Sequence, residues 1–159
     1  MRVAIGFDHA GFPLKADVIR VLGDLGHEAV DFGTDSTAPV DYPDFAKAVG
    51  LAVSRRGCDR GIIVCGSGVG ASVAATKIPG VRAALCHDTF SARQGVEDDD
   101  LNVLCLGARV IGPSLAAEVM RAFLAARFSN LERHVRRLNK VKQIETDALS
   151  GAWNQEEVP

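Results

Sequence analysis

The sequence predicts an α/β fold, a three-layer doubly wound (Rossmann-like) sheet of five mainly parallel strands with helices on both faces. Short apolar runs alternate with helical patterns along the chain, which is typical of βα units. The runs are almost continuously apolar, as expected of strands that helices cover on both sides. Polar or glycine-rich turns follow several of them, at the strand ends where such sheets bind ligands.

The composition indicates one globular unit. The chain has 159 residues, of which 47% are hydrophobic and 24% charged, so it is long enough for one core but hardly for two. We expect a single domain over 1–159, with a flexible end of about ten residues. The net charge of −2 gives no attraction to nucleic acid or to a membrane surface, and no apolar run reaches the roughly 20 residues of a membrane span.

The cysteines indicate a reducing compartment. Four cysteines lie far apart, with no C-x-x-C pair, so neither a disulfide framework nor a metal site is expected. Met1-Arg2 leads into a strand-like run rather than into a long apolar segment, so no signal peptide is expected. We therefore expect a cytoplasmic protein, with Cys86 and Cys105 as small buried hydrophobic residues.

The first part of the chain carries three predicted strands and two helices. The strands are expected at 3–7, 28–32 and 61–65. The first helix begins near Pro13, ends at Gly26 and has an apolar stripe formed by Leu14, Val18, Val21, Leu22 and Leu25. The second helix begins at Pro43 or Asp44 and runs to about Arg56.

The second part continues the alternation. Strands are expected at 81–86 and 103–107, and helices at 72–77, 89–96, 115–126 and 131–149. Ser114 is expected to cap the helix that follows it, and Glu97-Asp98-Asp99-Asp100 to form an acidic loop. A solvated loop is the favoured interpretation of these carboxylates, because no further ligand pattern supports a cation site.

A glycine-rich turn follows the third strand, with glycines at the alternate positions 66, 68 and 70. Such a turn, leading into a helix, aims backbone N–H groups and a positive helix end at one point. It could form an oxyanion or phosphate cradle, a dinucleotide site with Asp88 on a ribose, or a tight turn without a ligand. The position after the third strand, rather than the first, favours the cradle.

Reactive side chains lie next to this turn or at other strand ends. Cys65 ends the third strand and could act as a thiolate. Asp8 and His9 follow the first strand, where a carboxylate could move protons and a histidine could bind an anion. An Asx turn and a solvated histidine are the structural alternatives. Tyr42, the only tyrosine, either packs or contacts a substrate.

Two arginines near the end of the chain share one predicted helix face. Arg133 and Arg137 are four residues apart, and two guanidinium groups on one face match the geometry of a phosphate. Taken alone, the spacing is more typical of a solvated basic face.

Several short motifs together resemble one protein family. In chain order they are Asp8-His9-Ala10-Gly11, Asp41-Tyr42-Pro43, Cys65-Gly66-Ser67-Gly68-Val69-Gly70, Cys86-His87-Asp88, the stretch 102–110 and Arg133-His134-x-x-Arg137. The family is that of the type B ribose-5-phosphate isomerases and galactose-6-phosphate isomerases. The resemblance covers about residues 2–145, nearly the whole chain.

The resemblance implies an aldose–ketose isomerase of a phosphosugar, in carbohydrate metabolism and the pentose phosphate pathway. Ribose 5-phosphate and ribulose 5-phosphate are the expected substrate pair, interconverted through an enediolate without a metal or an organic cofactor. It also implies a homodimer, sometimes paired into tetramers, whose active sites are shared between two subunits. Neither nucleic acid nor a membrane is an expected partner.

The resemblance assigns roles to residues. Cys65 would be the base that moves the proton between C1 and C2, with Ser67 and the amides of 66–70 holding the charge of the enediolate. Asp8 would serve the sugar oxygens. We therefore predict as catalytic residues Cys65, Ser67, Asp8 and Asp98, and as substrate-binding residues His9, Tyr42, Gly66, Gly68, Val69, Gly70, Asp99, Arg109, Arg133 and Arg137.

The chain departs from the family pattern in the acidic segment. Many members carry a histidine, associated with opening the furanose ring, where this chain has Asp98, and often an asparagine where it has Asp99. Asp98 could open the ring, another group such as Asp8 or His87 could do so, or the substrate could need no ring opening.

These possibilities keep other functions open. Allose 6-phosphate, galactose 6-phosphate and a tetrose 4-phosphate are alternative substrates, and a non-catalytic phosphosugar-binding module is the rival without turnover. One branch of the family places a glutamate base directly after the glycine turn. Here that position is Ala71, which leaves Cys65 as the expected base.

Overall fold

The structure is a computed structural model that describes residues 1–152, and the predicted doubly wound fold is confirmed. The strands are β1 (Arg2–Phe7), β2 (Glu28–Asp31), β3 (Arg60–Cys65), β4 (Ala83–Leu85) and β5 (Val103–Gly107). The helices are α1 (Lys15–Asp24), α2 (Tyr42–Ser54), α3 (Val69–Ala75), α4 (Thr89–Asp99), α5 (Pro113–Ala125) and α6 (Glu132–Ser150), and a 3₁₀ turn, Phe12–Leu14, precedes α1. All strand pairs are parallel, in the order β2-β1-β3-β5-β4.

Helices cover the sheet on both faces, which explains why its strands are almost entirely apolar. Val3, Ile5 and Phe7 of β1 join the core beneath α1, α4 and α5, whereas Ala4 joins the core beneath α2 and α3. This alternation follows from the two-residue period of a strand. Cys65 belongs to the second core, so its side chain lies on the α2–α3 side of the sheet.

The strand order reverses between β1 and β3. The chain runs from β1 to β2 on one side and then crosses to β3 on the other, and ligands of open α/β sheets bind at such a switch point. Phe7 pairs with Val64, so Asp8 and Cys65 leave the sheet side by side. The Asp8 N–H donates to the Val64 carbonyl oxygen over 3.3 Å, which joins the two turns.

The prediction of an acidic loop over residues 97–100 is wrong. The sequence predicts that helix ends before residues 97–100, but α4 continues to Asp99. Residues four apart on a helix face each other, and here Arg93 pairs with Glu97 at 3.0 Å. Asp98 is therefore carried on a helix rather than on a loop.

Three smaller expectations are also wrong. Ser114 does not cap α5, because that helix begins one residue earlier, at Pro113, with Gly112 at the N-cap. Proline has no N–H to satisfy and suits a first helical position. Leu25 follows the end of α1 and is 36% exposed. The strand expected over 81–86 has only three residues.

The last helix, α6, packs loosely on the rest of the chain. Its buried residues are His134 and Leu138, and the Glu145 carboxylate accepts the Gly80 N–H at 2.9 Å. An apolar groove of about 680 Å³ runs between α6 and the β4 edge of the sheet. Apolar side chains also remain exposed along α6, namely Val135, Val141, Ile144 and Leu149.

The expected flexible end lies largely beyond α6. Ser150 is still helical, and residues 153–159 lie outside the described residues. Within 1–152, no helix combines the length and the apolarity needed to cross a membrane.

Candidate active site

A cavity of about 330 Å³ lies where β1 and β3 end, at the switch point of the sheet. The residues that line it are Asp8, His9, Ala10, Tyr42, Cys65, Gly66, Ser67, Gly70, Arg109 and Val110. Most of the predicted site residues are therefore brought together within one chain. Sequence reasoning did not single out Ala10 and Val110, although each is the chain neighbour of a predicted residue.

The turn after β1 holds Asp8 and His9 in fixed positions. Asp8 is only 6% exposed, and its Oδ1 accepts the N–H groups of Ala10 at 2.9 Å and Gly11 at 2.8 Å. The Asx turn and the functional interpretation are compatible, because both bonds use Oδ1 and leave Oδ2 for a ligand. His9 Nδ1 lies 3.1 Å from the carbonyl oxygen of Val40, so its Nε2 is the ring nitrogen available to the cavity.

The glycine turn points a backbone donor at the sulfur of Cys65. The Gly68 N–H lies 3.1 Å from Cys65 Sγ, and the thiolate is the form in which cysteine acts as a base or nucleophile. Gly68 has a φ of +80°, and a Cβ there would lie 2.4 Å from Leu85 Cδ1 and 2.8 Å from the carbonyl carbon of Leu106. Only glycine fits this position. The hydrogen bond to sulfur therefore requires a glycine at residue 68.

Cys65 is only 4% exposed, so the other cysteines differ from it in position rather than in exposure. Cys86 and Cys105 are 4% and 0% exposed, which confirms that they are small buried residues. Burial raises the pKa of the thiols of Cys58, Cys86 and Cys105. Of the four free cysteines, Cys65 alone borders the cavity.

The backbone donors of the glycine turn divide into two sets. The Gly68 N–H points to sulfur, and the Val69 N–H lies 3.3 Å from Ser67 Oγ. Neither Gly68 nor Val69 lines the cavity. Within residues 1–152, no acceptor is present for the N–H groups of Gly66 and Gly70, which leaves them for an anion.

Tyr42 covers one side of the glycine turn. It is the first residue of α2, and a Cβ on Gly70 would lie 2.7 Å from Tyr42 Cζ. The ring can lie against the turn because Gly70 has no side chain. Tyr42 is 39% exposed, so it serves as a wall of the cavity rather than as part of the core.

Arg109 is held at the cavity by its backbone. Its N–H donates to the Gly66 carbonyl oxygen at 3.0 Å, and the preceding Ala108 N–H donates to the carbonyl oxygen of Cys65 at 2.9 Å. The guanidinium is exposed and has no carboxylate within 4 Å among the described residues. It is therefore free to bind an anion.

Two groups after β4 have structural partners. The Nε2 of His87 accepts the Gly107 N–H at 3.0 Å. Asp88 caps α4, and the hydrogen bond from the Ser91 backbone N–H, 2.7 Å long, holds the pKa of Asp88 below its ordinary value. Asp88 thus serves as a helix cap and does not line the cavity, which argues against the dinucleotide interpretation.

The remaining predicted residues lie outside the cavity. Asp98 and Arg133 meet through His134, together with Ser129, and we refer to these four residues as the α4–α6 cluster. Arg137 is exposed one turn further along α6. Asp99 is exposed and borders the apolar groove rather than the cavity.

The fold and the cavity define a class of protein. It is a doubly wound α/β protein that places a thiol, a carboxylate, backbone N–H groups and an arginine around a space suited to a small anion. A family model described as Ribose/Galactose Isomerase matches residues 3–141, and the chain belongs to that family.

Named relatives and a solved structure agree with this assignment. Ribose-5-phosphate isomerase B of Escherichia coli is 41% identical over 91% of this chain and 96% of its own length. D-erythrulose-4-phosphate isomerase of Pectobacterium atrosepticum is 41% identical over 80% of this chain and 85% of its own length. The structure of Clostridium thermocellum ribose-5-phosphate isomerase B is 44% identical, with a TM-score of 0.90, covering 93% of this chain and 99% of that one.

Proposed function

We propose that this protein isomerises an aldose phosphate to the ketose phosphate, with ribose 5-phosphate and ribulose 5-phosphate as the substrate pair. The observation that carries the proposal is the Gly68 N–H, 3.1 Å from Cys65 Sγ, at the edge of a cavity that Asp8, Ser67 and Arg109 also line. A base, proton-transfer partners and an anion site thus face one space, as the reaction requires.

Cys65 moves the proton between the two carbons. Its thiolate takes the proton from C2 of the aldose, which places the electron pair in an enediolate, and the thiol then gives a proton to C1 to form the ketose. While the proton is held on sulfur it can exchange with solvent. Asp8 Oδ2 carries the accompanying proton between the sugar oxygens. General acid–base groups of this kind contribute about 10²–10⁴-fold to a rate.

The glycine turn stabilises the charge that this step creates. Loss of the C2 proton places negative charge on the carbonyl oxygen, and donors fixed at that oxygen stabilise the transition state by roughly 3–4 kcal/mol each. The N–H groups of Gly66 and Gly70 and the Ser67 hydroxyl are the donors proposed for it. Gly68 and Val69 act indirectly, because their N–H groups hold Cys65 and Ser67.

We propose that two copies of the chain share each site. His9 and Arg109 lie at the cavity, but Arg133 and Arg137 are on α6 and do not line it, so a second copy would bring them to the phosphate. Asp98 and Asp99 lie outside the cavity in the same way. Exposed apolar side chains support an interface, namely Val69, Val73, Leu85, Phe90, Val110, Val135 and Ile144. A homodimer, or a tetramer made of two dimers, is the proposed assembly.

The four free cysteines support the reducing cytoplasm as the compartment in which the protein acts. We propose that the chain acts there as one domain on a free phosphosugar, within the pentose phosphate pathway, without a metal or an organic cofactor.

Replacing the proposed base tests the function directly. Cys65→Ala should stop exchange of the C2 hydrogen with deuterated solvent and lower kcat by about 10²–10⁴-fold, while ribose 5-phosphate still binds. Cys105→Ala is the matched control, because it removes a neighbouring buried thiol and should retain exchange. Full exchange in Cys65→Ala would contradict the mechanism.

A four-carbon phosphosugar is the second candidate substrate. Both carboxylate oxygens of Asp98 are engaged, one 2.7 Å from Gln94 Nε2 and one 3.3 Å from His134 Nδ1, which leaves it poorly placed to open a ring. A tetrose 4-phosphate has no free hydroxyl with which to close a furanose ring, and one relative is named for such a sugar.

A comparison of kcat/KM for four-, five- and six-carbon aldose phosphates decides between the candidates. The highest value for ribose 5-phosphate supports the first proposal, and the highest value for the tetrose supports the second. Tight binding of these sugars with no turnover would favour a binding module instead.

A further inference from the structure

We propose that His134 is a positioning residue, which orients the guanidinium of Arg133 for phosphate and is itself held by Asp98. The inference deepens the proposed function and rests on it in one respect, the role of Arg133 at the phosphate. It assigns roles to two groups, the His134 imidazole and the Asp98 carboxylate, through contacts within a single chain.

His134 is a buried polar side chain with partners on both ring nitrogens. It lies on α6 and is only 4% exposed. Its Nδ1 is 2.7 Å from Ser129 Oγ and 3.3 Å from an oxygen of Asp98. Its Nε2 is 3.0 Å from Nε of Arg133. A buried imidazole with this set of neighbours has one fixed orientation.

The partners also fix the tautomer of the ring. A guanidinium can only donate hydrogen bonds, so the Nε2 of His134 must accept from Arg133 and carry no proton. The proton then lies on Nδ1, where the Ser129 hydroxyl oxygen accepts it at 2.7 Å and an Asp98 oxygen lies nearby at 3.3 Å. The imidazole is thus neutral, and it links Asp98 on α4 to Arg133 on α6.

Asp98 supports this arrangement from the neighbouring helix. Its second oxygen accepts from Gln94 Nε2 at 2.7 Å, so the carboxylate is held by its own helix while it faces His134. Since neither oxygen is free of such contacts, Asp98 acts on the site through the imidazole. This role is separate from chemistry on the sugar ring.

The guanidinium of Arg133 therefore uses its Nε–H to bind His134, which leaves its two Nη groups for a ligand. With Nε bonded to His134, the two Nη groups have no acceptor within residues 1–152 and form a planar pair of donors. Two parallel donors match two oxygens of a phosphate. An exposed arginine ordered in advance avoids part of the cost of immobilising a long side chain, about 0.5–1.5 kcal/mol, or roughly 2- to 12-fold in affinity.

Two amide substitutions separate the two halves of the imidazole. In His134→Gln the amide reaches the place of Nε2 and keeps an acceptor for Arg133. In His134→Asn it occupies the place of Nδ1, keeps a donor to Ser129 and Asp98, and leaves Arg133 without an acceptor. We expect His134→Asn to weaken the binding of inorganic phosphate, measured by calorimetry on the whole protein, by about 3- to 10-fold. We expect His134→Gln to stay within about 2-fold of the unaltered protein.

A double-mutant cycle with Arg133→Ala completes the experiment. If His134 acts through Arg133, adding His134→Asn to Arg133→Ala has no further effect on phosphate affinity. Arg136→Ala is the control for charge, because Arg136 lies on the same helix and pairs with Glu132 at 3.3 Å without contacting His134. It should leave phosphate affinity unchanged.

Equal effects of His134→Asn and His134→Gln, or full additivity with Arg133→Ala, would overturn the positioning role, because a merely structural histidine gives those results. An unchanged affinity in Arg133→Ala would overturn that role together with the phosphate role of Arg133. Phosphate binding is read without turnover. A failed isomerase assay accompanied by the expected phosphate results would therefore contradict the proposed isomerase activity. The positioning role of His134 would remain supported.

Discussion

The cavity and the α4–α6 cluster are built in different ways. At the cavity, backbone hydrogen bonds join the turns after β1, β3 and β5, including Asp8 N to Val64 O and Arg109 N to Gly66 O. In the cluster, side chains of α4, of α6 and of the segment before α6 contact one another, and α6 buries only His134 and Leu138. The groups proposed to react are thus fixed by the sheet, whereas the arginines proposed for the phosphate are carried on a helix with an exposed face.

This difference has a functional meaning. Proton transfer between carbons depends on positions within a fraction of an ångström, which a sheet edge provides. A phosphate can be bound by residues from a second copy of the chain, provided that their side chains are ordered before binding. In the proposed mechanism, the cavity therefore supplies the proton-transfer groups, and the cluster supplies an arginine oriented for the phosphate.

The largest effect on stability is expected from a substitution in the glycine turn beside the cavity. Gly68→Ala places a side chain at a φ of +80° and 2.4 Å from Leu85 Cδ1, so we expect a loss of at least about 2 kcal/mol in the free energy of unfolding. Isomerase activity should fall as well, because the donor to Cys65 moves.

Gly66→Ala is the matched control for that substitution. A Cβ on Gly66 would lie no closer than 3.5 Å to Ala10, which is ordinary contact, so we expect less than about 1 kcal/mol. Urea unfolding of both variants gives the comparison. Equal stability of the two would show that the turn is not held as described.

The smallest effect is expected at Asp88, which caps α4, the helix that carries Asp98 of the cluster. The hydrogen bond from the Ser91 N–H lowers the pKa of Asp88, so its stabilising contribution is present above the unfolded pKa, about 3.9, and is lost as the pH falls through the lower folded value. Unfolding of Asp88→Asn should therefore be slightly easier than that of the unaltered protein at neutral pH.

The difference should disappear in acid. Unfolding midpoints measured from pH 7 down to pH 2 check this sign. A difference that grew on acidification would contradict the assignment of Asp88 as a carboxylate cap.

Much of the cavity could be predicted from the sequence. Short apolar runs ending at Asp8, Cys65 and Gly107 placed these residues at strand ends, and parallel topology brings such ends to one edge of a sheet. The two uses of the glycine turn could not be predicted. Nothing in the pattern shows that the Gly68 N–H points to sulfur while the N–H groups of Gly66 and Gly70 stay free.

The cluster was harder to predict, for physical reasons. A polar run such as 97–100 has no apolar period to distinguish helix from loop, although the pairing of Arg93 with Glu97 was a signal in favour of helix. His134 was visible only as a member of the motif Arg133-His134-x-x-Arg137, without a role of its own. Its partners on α4 come from tertiary packing, which the spacing of residues along the chain does not reveal.

Mixed assemblies of two inactive variants test the central claim, that the cavity of one copy and the α6 arginines of another form one site. Cys65→Ala and Arg137→Ala are co-expressed with different tags, and isomerase activity is compared with that of each variant alone. Random pairing into dimers should restore about one quarter of the unaltered activity, because half of the dimers are mixed and each mixed dimer holds one intact site. Activity no higher than that of the separate variants, in mixed dimers isolated through both tags, would contradict the shared site.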